Sequence, residues 1–249
     1  MSGHCVHCGL TISNFLDLGK FGCPTCHEIF LPNKLKRVPT KHRDFLESLH
    51  DLRFLKKINW TDISFRLRVA RCFRKGFFPF YSRLEDRARE LLVQKGFVLA
   101  ENGLETVPLV SGAKFYLGEE DHLRFEWILG KNPSFLRSRF LKLGNLRFLF
   151  EPGLWAWNPK IGFINSCPTN CGRGDRLSVQ AKASPEEAFL VSQTLQNHTG
   201  FGLDFSLNTD VKRENEKENS SVLVQISAKN ANPIQKLRFF KILGLLGLG

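Results

Sequence analysis

Four cysteines near the start of the chain constrain its fold more than any other feature. They form two Cys-x-x-Cys pairs, Cys5 with Cys8 and Cys23 with Cys26, and each pair lies beside a glycine. Two such turns can aim four thiolates at one ion, the pattern of a tetrahedral structural zinc site. The spacing therefore predicts a zinc-binding module over residues 1–40 with these cysteines as ligands. Replacement of one thiolate by a neighbouring histidine, His4, His7 or His27, is the open alternative.

Length and composition leave room for one larger domain beside this small module. The chain has 249 residues, 42% hydrophobic residues and 23 phenylalanines, enough for a real core. Lysine and arginine exceed aspartate and glutamate by 36 to 24, a net charge of +12. This excess fits an anionic partner such as a nucleotide, a phosphorylated group, nucleic acid or an acidic protein, or else a solubilising surface.

No membrane or export signal is expected. The longest apolar stretches stay well short of the roughly 20 residues that span a bilayer, and the first residues lead directly into the cysteine pairs. Cysteines used in this way indicate metal binding or reactive thiols rather than disulfides. We therefore expect a cytoplasmic protein without membrane contact.

Local sequence patterns predict the positions of the main helices and strands. We expect a helical linker over residues 41–58 and the main domain over residues 59–249. Alternation in residues 60–73 predicts a strand with Arg66 and Arg68 on one face. The other expected elements are a helix over 82–96, strands within 146–157 and 161–167, a helix from Ser184 to Gly200, a polar loop over 208–221 and a strand over 221–227.

Three charged stretches are not explained by core or turn logic: residues 64–71, 118–124 and 167–179. Together they supply several arginines, which can bind a polyphosphate, and nearby carboxylates, which can bind a cationic substrate. Each stretch alone could equally be a solvated strand face or loop.

In sequence and order these stretches resemble the phosphagen (guanidino) kinase family, and within it the bacterial protein-arginine kinases. The family strand Ser-Ser-Arg-Ile-Arg-Leu-Ala-Arg appears as residues 64–71, and the acidic Asn-Glu-Glu-Asp-His-Leu-Arg appears as residues 118–124. The family loop Cys-Pro-Thr-Asn-Leu-Gly-Thr-Gly-x-Arg-Ala-Ser-Val appears as residues 167–179. The resemblance covers about residues 60–235. It implies an α+β fold, with a mainly antiparallel sheet flanked by helices behind a small zinc-knuckle module.

The cysteine-rich segment points to the same system. Residues 5–30 are similar to the second metal-binding repeat of the zinc protein that activates the bacterial protein-arginine kinase. Since activator and kinase are usually separate chains, we expect a fused, shortened version of the pair.

The resemblance also implies roles for single residues. Glu120 matches the catalytic carboxylate that orients the guanidinium and accepts its proton, and Cys167 matches the reactive cysteine beside the guanidino group. Mg²⁺ would bridge the phosphates of ATP. The residues expected to hold those phosphates are Arg66, Arg68, Arg124 and Arg176.

Departures from the family pattern bear on catalysis. The family loop Arg-Gly-x-x-Gly-Glu supplies a further phosphate arginine and a second carboxylate, and its nearest counterpart is Thr199–Asp204. Thr199 replaces the arginine, and Asp204 is one methylene shorter than the glutamate. An active enzyme would need Arg173 or Lys182 to compensate. Gly118, Cys171 and Arg173 also differ from the family residues.

These features lead to one main expectation and two alternatives. The main one is an ATP-dependent phosphotransferase acting on a guanidino group, with arginine in proteins as acceptor, fused to a zinc activator-like module. The first alternative is a degenerate kinase-like regulator that binds nucleotide or phosphoarginine without turnover. The second is a zinc-bearing nucleic-acid or adaptor protein, although nucleic acid is not the expected partner. The resemblance further implies stress regulators and Clp-type proteolysis components as partners.

Overall fold

A computed structural model describes residues 3–30, 58–74, 85–97, 105–106, 113–130, 144–196, 203–208 and 221–248. The chain divides into two compact units. The first contains Met1–Val38, Arg68–Trp127 and Leu141–Asp175, and the second contains Pro39–Leu67, Ile128–Phe140 and Arg176–Gly249. Among the described residues, no helix is long and apolar enough to cross a membrane.

The cysteine-rich segment, described over residues 3–30 and called the zinc-knuckle module below, belongs to the first unit. It contains helices α1 (Ile12–Leu18) and α2 (Cys26–Phe30). Thr11 caps α1 by accepting a hydrogen bond from the Asn14 amide, and Gly19 ends the helix with a left-handed φ of 62°. Phe15 stacks on Phe21 and Phe30 with ring centroids 5.5 Å and 4.9 Å away. Aromatic stacking therefore supplies much of the small apolar interior.

Strand β1 (Thr61–Arg71) begins in the second unit and continues along the chain into the first. Its burial alternates, with Phe65, Leu67 and Val69 buried and the arginines between them half-buried. This confirms the predicted strand and the shared face of Arg66 and Arg68.

The rest of the first unit combines a hairpin with a helix. Strand β2 (Glu105–Thr106) pairs antiparallel with β3 (Ala113–Leu117), which pairs antiparallel with β4 (Leu123–Leu129) in the register Phe115↔Phe125. The last two residues of β4, Ile128 and Leu129, belong to the second unit. Helix α3 (Glu85–Gln94) confirms the predicted helix, and Gly96 follows its end with a φ of 83°. Both phenylalanines of the register pair are fully buried.

The predicted strand within residues 146–157 is wrong over most of its length. Gly144–Phe150 forms a 3₁₀ helix, and only Trp157–Asn158 is a strand, β5, paired with β6 (Gly162–Phe163). The Trp155 indole donates to the Phe148 carbonyl over 2.8 Å, and both side chains are buried. Their packing decides the local conformation, because so short a run of apolar residues suits either a strand or a buried helical turn.

The second unit contains an antiparallel arrangement of β7 (Asp175–Ala183), β9 (Val222–Lys229) and β8 (Leu203–Asn208), although Asp175 itself belongs to the first unit. Strand β9 confirms the predicted final strand and lies between the other two. Helix α4 (Pro185–Gln196) begins as predicted, with a reciprocal cap between Ser184 and Glu187. Helix α5 (Pro233–Leu245), capped by Asn232 and Gln235, was not predicted.

The antiparallel pairings, the helices and the cysteine cluster confirm the α+β class expected from the sequence. The predicted linker helix lies outside the described residues except at its last position, as do residues 209–220 of the predicted polar loop and Gly200. The predicted boundaries at residues 40 and 58 stay predictions.

Candidate active site and zinc site

The four cysteines of the zinc-knuckle module come together as the spacing predicted. Their Sγ atoms all lie within 4.8 Å of one another, and three of the four side chains are buried. Cys5 Sγ lies 3.7 Å from Cys23 Sγ, and Cys8 Sγ lies 3.4 Å from Cys26 Sγ. Burial raises the pKa of the Cys8 thiol to about 12, so a bound cation is needed to hold this ligand as a thiolate at neutral pH. The donor set therefore fits a tetrahedral zinc ion.

The histidine alternative receives no support from the part of the chain that the structure describes. The cluster found there consists of the four cysteines. His27 directs Nδ1 at the Pro24 carbonyl over 2.7 Å, and its Nε2 lies 3.7 Å from a Glu28 carboxylate oxygen. Both ring nitrogens of His27 thus have partners outside the cluster.

The zinc-knuckle module packs directly against the loop that carries the predicted reactive cysteine. The Phe21 amide donates to the Ser166 carbonyl over 2.7 Å. A common apolar cluster joins the module to residues from three other segments of the first unit, namely Cys72, Ala156, Ile164 and Cys171. The module and this loop are consequently one packed body.

The acidic motif separates into an exposed and a buried half. Glu119 is exposed and Glu120 half-buried, whereas Asp121 and His122 are 3% and 1% exposed. Asp121 Oδ1 accepts from the Ser166 amide over 2.7 Å and from the Cys72 thiol over 3.3 Å. Burial raises the pKa of Asp121 above its ordinary value, and these hydrogen bonds oppose the rise. The Asp121 carboxylate is therefore fixed in place.

His122 is a buried residue whose contacts are structural. Its Nδ1 accepts a hydrogen bond from the Phe73 amide over 2.9 Å, and the two rings stack 5.6 Å apart. Burial lowers the pKa of His122 to about 4, with a further contribution from Arg87. A neutral ring suits this environment, because the protonated form could not accept from the amide.

Glu120 and Cys167 meet the same short turn. Pro168–Asn170 forms a single 3₁₀ turn that begins after Cys167. Asn170 Nδ2 donates to Asp121 Oδ2 over 2.9 Å and lies 3.5 Å from Glu120 Oε2. Cys167 Sγ lies 3.1 Å from Thr169 Oγ1. The structure thus brings the predicted base and the predicted reactive cysteine to one surface feature, with both side chains partly accessible.

Two of the four predicted phosphate arginines belong to this first unit. Arg68 is half-buried on β1, and Arg124 is half-buried at the start of β4. Arg124 forms an ion pair with Glu119, including an Nη2–Oε1 contact of 3.2 Å, and its guanidinium lies 4.3 Å from the Tyr116 ring centroid. Glu119 therefore orients the Arg124 guanidinium.

Arg66, Arg176 and Asp204 belong to the second unit. Arg176 donates from Nη2 to the Ser227 hydroxyl over 2.9 Å. Asp204 lies on β8 in register with the same Ser227. Thr199 lies outside the described residues, so the altered loop is described only from Leu203 onwards.

Both residues proposed to compensate for Thr199 have carboxylate partners. Lys182 Nζ lies 2.8 Å from Asp62 Oδ2, within the second unit. Arg173 Nε lies 3.6 Å from Asp175 Oδ2, within the first. A new phosphate contact from either cation would have to compete with its carboxylate.

Sequence reasoning missed the importance of Arg71 and Asn170. Arg71 is fully buried; it donates from Nε to the Leu149 carbonyl over 2.6 Å, and its guanidinium lies 3.6 Å from the Phe163 ring centroid. Burial lowers the pKa of Arg71 to about 9. The alternation of β1 could have identified this role, because position 71 falls on the same inward face as Phe65, Leu67 and Val69. Asn170 lies within the family loop matched at residues 167–179, but that match assigned no role to its side-chain amide.

Two family models match separate segments of this chain. Residues 3–43 match the family model of the McsA central zinc-finger domain, and residues 83–186 match that of the ATP:guanido phosphotransferase C-terminal catalytic domain. The second match includes Glu120, Arg124, Cys167 and Arg176. The chain therefore contains one segment similar to the guanidino-kinase catalytic domain and another similar to the McsA zinc finger, which confirms the resemblance predicted from the sequence.

Two curated relatives of this chain are protein-arginine kinases. The chain is 31% identical over 106 residues to the protein-arginine kinase of Geobacillus sp. (strain WCH70), covering 39% of this chain and 28% of that protein. It is 33% identical over 99 residues to that of Bacillus pumilus (strain SAFR-032), covering 37% and 26%. The alignments thus span little more than a quarter of these relatives.

Solved structures share the fold at low identity. The substrate-free duplicated taurocyamine kinase from Schistosoma mansoni superposes with a TM-score of 0.55 at 16% identity, covering 92% of this chain and 40% of that one. A lombricine kinase gives a TM-score of 0.56 at 14% identity, covering 99% and 86%. These likenesses establish the architecture.

Proposed function

We propose that this chain is an ATP-dependent phosphotransferase acting on a guanidino group, with arginine side chains of proteins as acceptors and with the zinc-knuckle module as a fused metal-binding part. The observation that carries the proposal is the shared position of Glu120 and Cys167 at the Pro168–Asn170 turn, inside the segment that matches the phosphotransferase family. The protein-arginine kinases among the relatives support arginine as the acceptor.

In this proposal Glu120 performs the central step. A guanidinium is a poor nucleophile while it is protonated, so a carboxylate must hold it and accept its proton as the phosphoryl group arrives. Glu120 is suited to this because it is half-buried and Asn170 lies beside one of its oxygens. Cys167 would lie against the guanidino group, and Asp204 would act as a second, shorter carboxylate.

Charge on the transferring phosphoryl group requires cations. Arg66, Arg68, Arg124 and Arg176 would bind the phosphates of ATP, and all four are half-buried, which strengthens their interaction with an anion. Mg²⁺ bound with the nucleotide would supply further neutralisation of the phosphate charge. Zinc would be held by Cys5, Cys8, Cys23 and Cys26 and would have no part in the phosphoryl transfer itself.

The decisive experiment is the substitution Glu120→Gln. Purified protein is supplied with radiolabelled ATP and Mg²⁺, with free arginine or an arginine-rich protein as acceptor and a reaction without acceptor as blank. Loss of the base should lower phosphoryl transfer by roughly 10²-fold or more, while zinc content stays unchanged. Glu151→Gln, at an exposed glutamate in the same unit, serves as the matched control and should leave the rate unchanged. Equal rates for Glu120→Gln and the unmodified protein would refute the assigned role.

One observation favours a second candidate function, a kinase-like regulator without turnover. Thr199 stands where the family has an arginine, and both candidate replacements, Arg173 and Lys182, already have carboxylate partners. A regulator of this kind binds ATP or phosphoarginine and transfers no phosphoryl group. Equilibrium binding of both ligands beside the transfer assay separates the two functions. Stress regulators and Clp-type proteolysis components, together with a cytoplasmic location, belong to either version of the proposal as implications of the resemblance.

A further inference from the structure

Asp121 and its three hydrogen-bond partners form a junction to which the proposed chemistry assigns no role. Only 3% of the surface of Asp121 is exposed, so it cannot contact a substrate, yet its carboxylate receives three hydrogen bonds from two separate segments of the chain. The donors are the Cys72 thiol after β1, the Ser166 amide before the reactive cysteine, and the Asn170 side chain at the end of the turn. A buried carboxylate is costly unless it is well partnered, so this geometry is tightly defined.

One side of the junction leads to the candidate catalytic groups. Asn170 Nδ2 lies 2.9 Å from Asp121 Oδ2 and 3.5 Å from Glu120 Oε2, so the same side-chain amide spans the buried and the reactive carboxylate. The backbone amide of Asn170 also donates to the Cys167 carbonyl over 2.9 Å. The position of Asn170 thereby sets the positions of Glu120 and Cys167 relative to each other.

The other side leads to the zinc-knuckle module. Ser166, whose amide donates to Asp121, accepts through its carbonyl from the Phe21 amide over 2.7 Å. Phe21 is fully buried and lies two residues before the ligand Cys23. Both hydrogen bonds act on the backbone of one residue, so displacement of the segment around Phe21 shifts the atoms that bind Asp121.

We propose that Asp121 is a positioning residue that couples the metal-bound zinc-knuckle module to the Glu120–Cys167 site, by the route Phe21, Ser166, Asp121 and Asn170. The route rests on the proposed function only where it calls Glu120 and Cys167 catalytic groups. It predicts that the metal state of the module changes the environment of Cys167 through Asp121, and that breaking the junction makes Cys167 insensitive to the metal.

The reactivity of Cys167 provides a direct readout, because its thiol is partly exposed whereas Cys72 and Cys171 are buried. Zinc-loaded full-length protein is treated with iodoacetamide, with and without prior removal of zinc by a chelator. The alkylation rate of the peptide containing Cys167 is followed by mass spectrometry. Peptide resolution is required because the released ligand cysteines will also react. No phosphoryl transfer is involved, so this test can succeed or fail independently of the proposed activity.

Asp121→Asn keeps one side-chain oxygen for the Ser166 amide but turns the other acceptor into a donor that faces the Asn170 amide. Zinc removal should raise the Cys167 alkylation rate of the unmodified protein at least about threefold, the ratio expected for losing one ordinary hydrogen bond. In Asp121→Asn the zinc-loaded rate should already be raised, and zinc removal should change it by less than about 1.5-fold. Asp175→Asn is the matched control, another buried aspartate of the same unit outside the route, and should respond to zinc removal as the unmodified protein does.

Asn170→Ala extends the test to a half-buried position where folding is less at risk than at Asp121. It deletes the side-chain amide on the reactive side of the junction, and the proposal predicts the same insensitivity of Cys167 to zinc. If the role of Asp121 were merely structural, its substitution would raise the alkylation rate of Cys167 both with and without zinc. The ratio of the two rates would then stay unchanged. The proposal is overturned if that ratio is preserved in Asn170→Ala, or if zinc removal leaves Cys167 in the unmodified protein unchanged.

Discussion

The zinc-knuckle module and the Cys167–Asp175 loop lie in the same unit and share one apolar cluster, yet different chemistry stabilises each of them. The module has four mutually close thiols and a stack of three phenylalanines, with two helices of seven and five residues. Helices this short contribute little stability alone, and so small an interior buries little apolar surface. We therefore expect the fold of the module to depend on a bound metal ion.

The loop instead depends on buried hydrogen bonds and charges that the protein supplies itself. Asp121 fixes its beginning through Ser166 and Asn170, and Asn165 donates to the carbonyls of Ala70 and Asn170 over 3.1 Å and 2.7 Å. Arg71 lies beneath the adjoining hairpin. We therefore expect metal removal to unfold the module before the loop, whereas single side-chain substitutions should destabilise the loop.

The largest effect is expected from breaking the metal site. Cys5→Ser combined with Cys23→Ser removes two ligands on opposite turns, and zinc binding by comparable small domains contributes about 10–16 kcal/mol to folding. Stoichiometric zinc should be lost, and residues 3–30 should become sensitive to limited proteolysis. Cys167→Ser is the control, since this cysteine lies outside the ligand cluster. Retention of one zinc per chain in the double variant would exclude the assigned ligand set.

A smaller but still severe effect is expected from crowding the loop at Gly174. Its φ is 64°, and a Cβ atom there would lie 2.9 Å from both the Ala70 carbonyl oxygen and Asn165 Nδ2, directly against the Arg71 guanidinium. Gly174→Ala should therefore lower the free energy of unfolding by about 2–4 kcal/mol, from backbone strain and overpacking together. Chemical denaturation measures the change. Gly153→Ala, where a Cβ atom would meet nothing within 4 Å, should change stability by less than about 0.5 kcal/mol.

The contrast between module and loop also explains which structural features the sequence alone could predict. Cysteine spacing predicted the module, because four thiolates at that spacing have few other uses. Alternation predicted β1, and the Ser184 cap predicted α4, because both signals are local. The charged motifs indicated Glu120 and Cys167 through resemblance to a family.

What the sequence could not provide depends on contacts between distant segments. Asp121 belongs to the acidic motif, but its partners at 72, 166 and 170 become neighbours only in the folded chain. The 3₁₀ helix at Gly144–Phe150 was misread as a strand because the Trp155 indole, seven residues from its Phe148 acceptor, helps to fix that turn. Local propensity is a weak guide where tertiary contacts decide.

Acidification should weaken the core beside the loop through His122. Its pKa is about 4 in the folded protein and about 6.5 when exposed, so the unfolded chain binds more protons between these values. Stability should therefore fall as pH drops from about 6.5 to 4, by up to about 3 kcal/mol. Unfolding free energies at pH 7 and pH 4.5 measure the loss.

The matched variant for this effect is His122→Asn, whose side-chain oxygen can still accept from the Phe73 amide but does not titrate in this range. The raised pKa of Asp121 has the opposite sign, because a buried carboxyl group favours protonation as pH falls. Asp121 is present in both proteins, so its contribution cancels in their difference. An identical pH dependence in the two proteins would show that His122 is not the group responsible.

The smallest effect is expected where a charge pair is exposed and neither a metal nor burial strengthens it. Arg147 Nε lies 2.5 Å from Glu151 Oε1, but the two side chains are 80% and 55% exposed. Water and salt screen such a pair, so Glu151→Gln should lower the free energy of unfolding by less than about 0.5 kcal/mol, and by nothing measurable in about 1 M salt. Denaturation at low and high salt tests this. A loss above about 1 kcal/mol that persists in salt would mean that exposed charges also stabilise the first unit. Exposed ion pairs would then have to be added to the metal site and the buried hydrogen bonds as a third source of its stability.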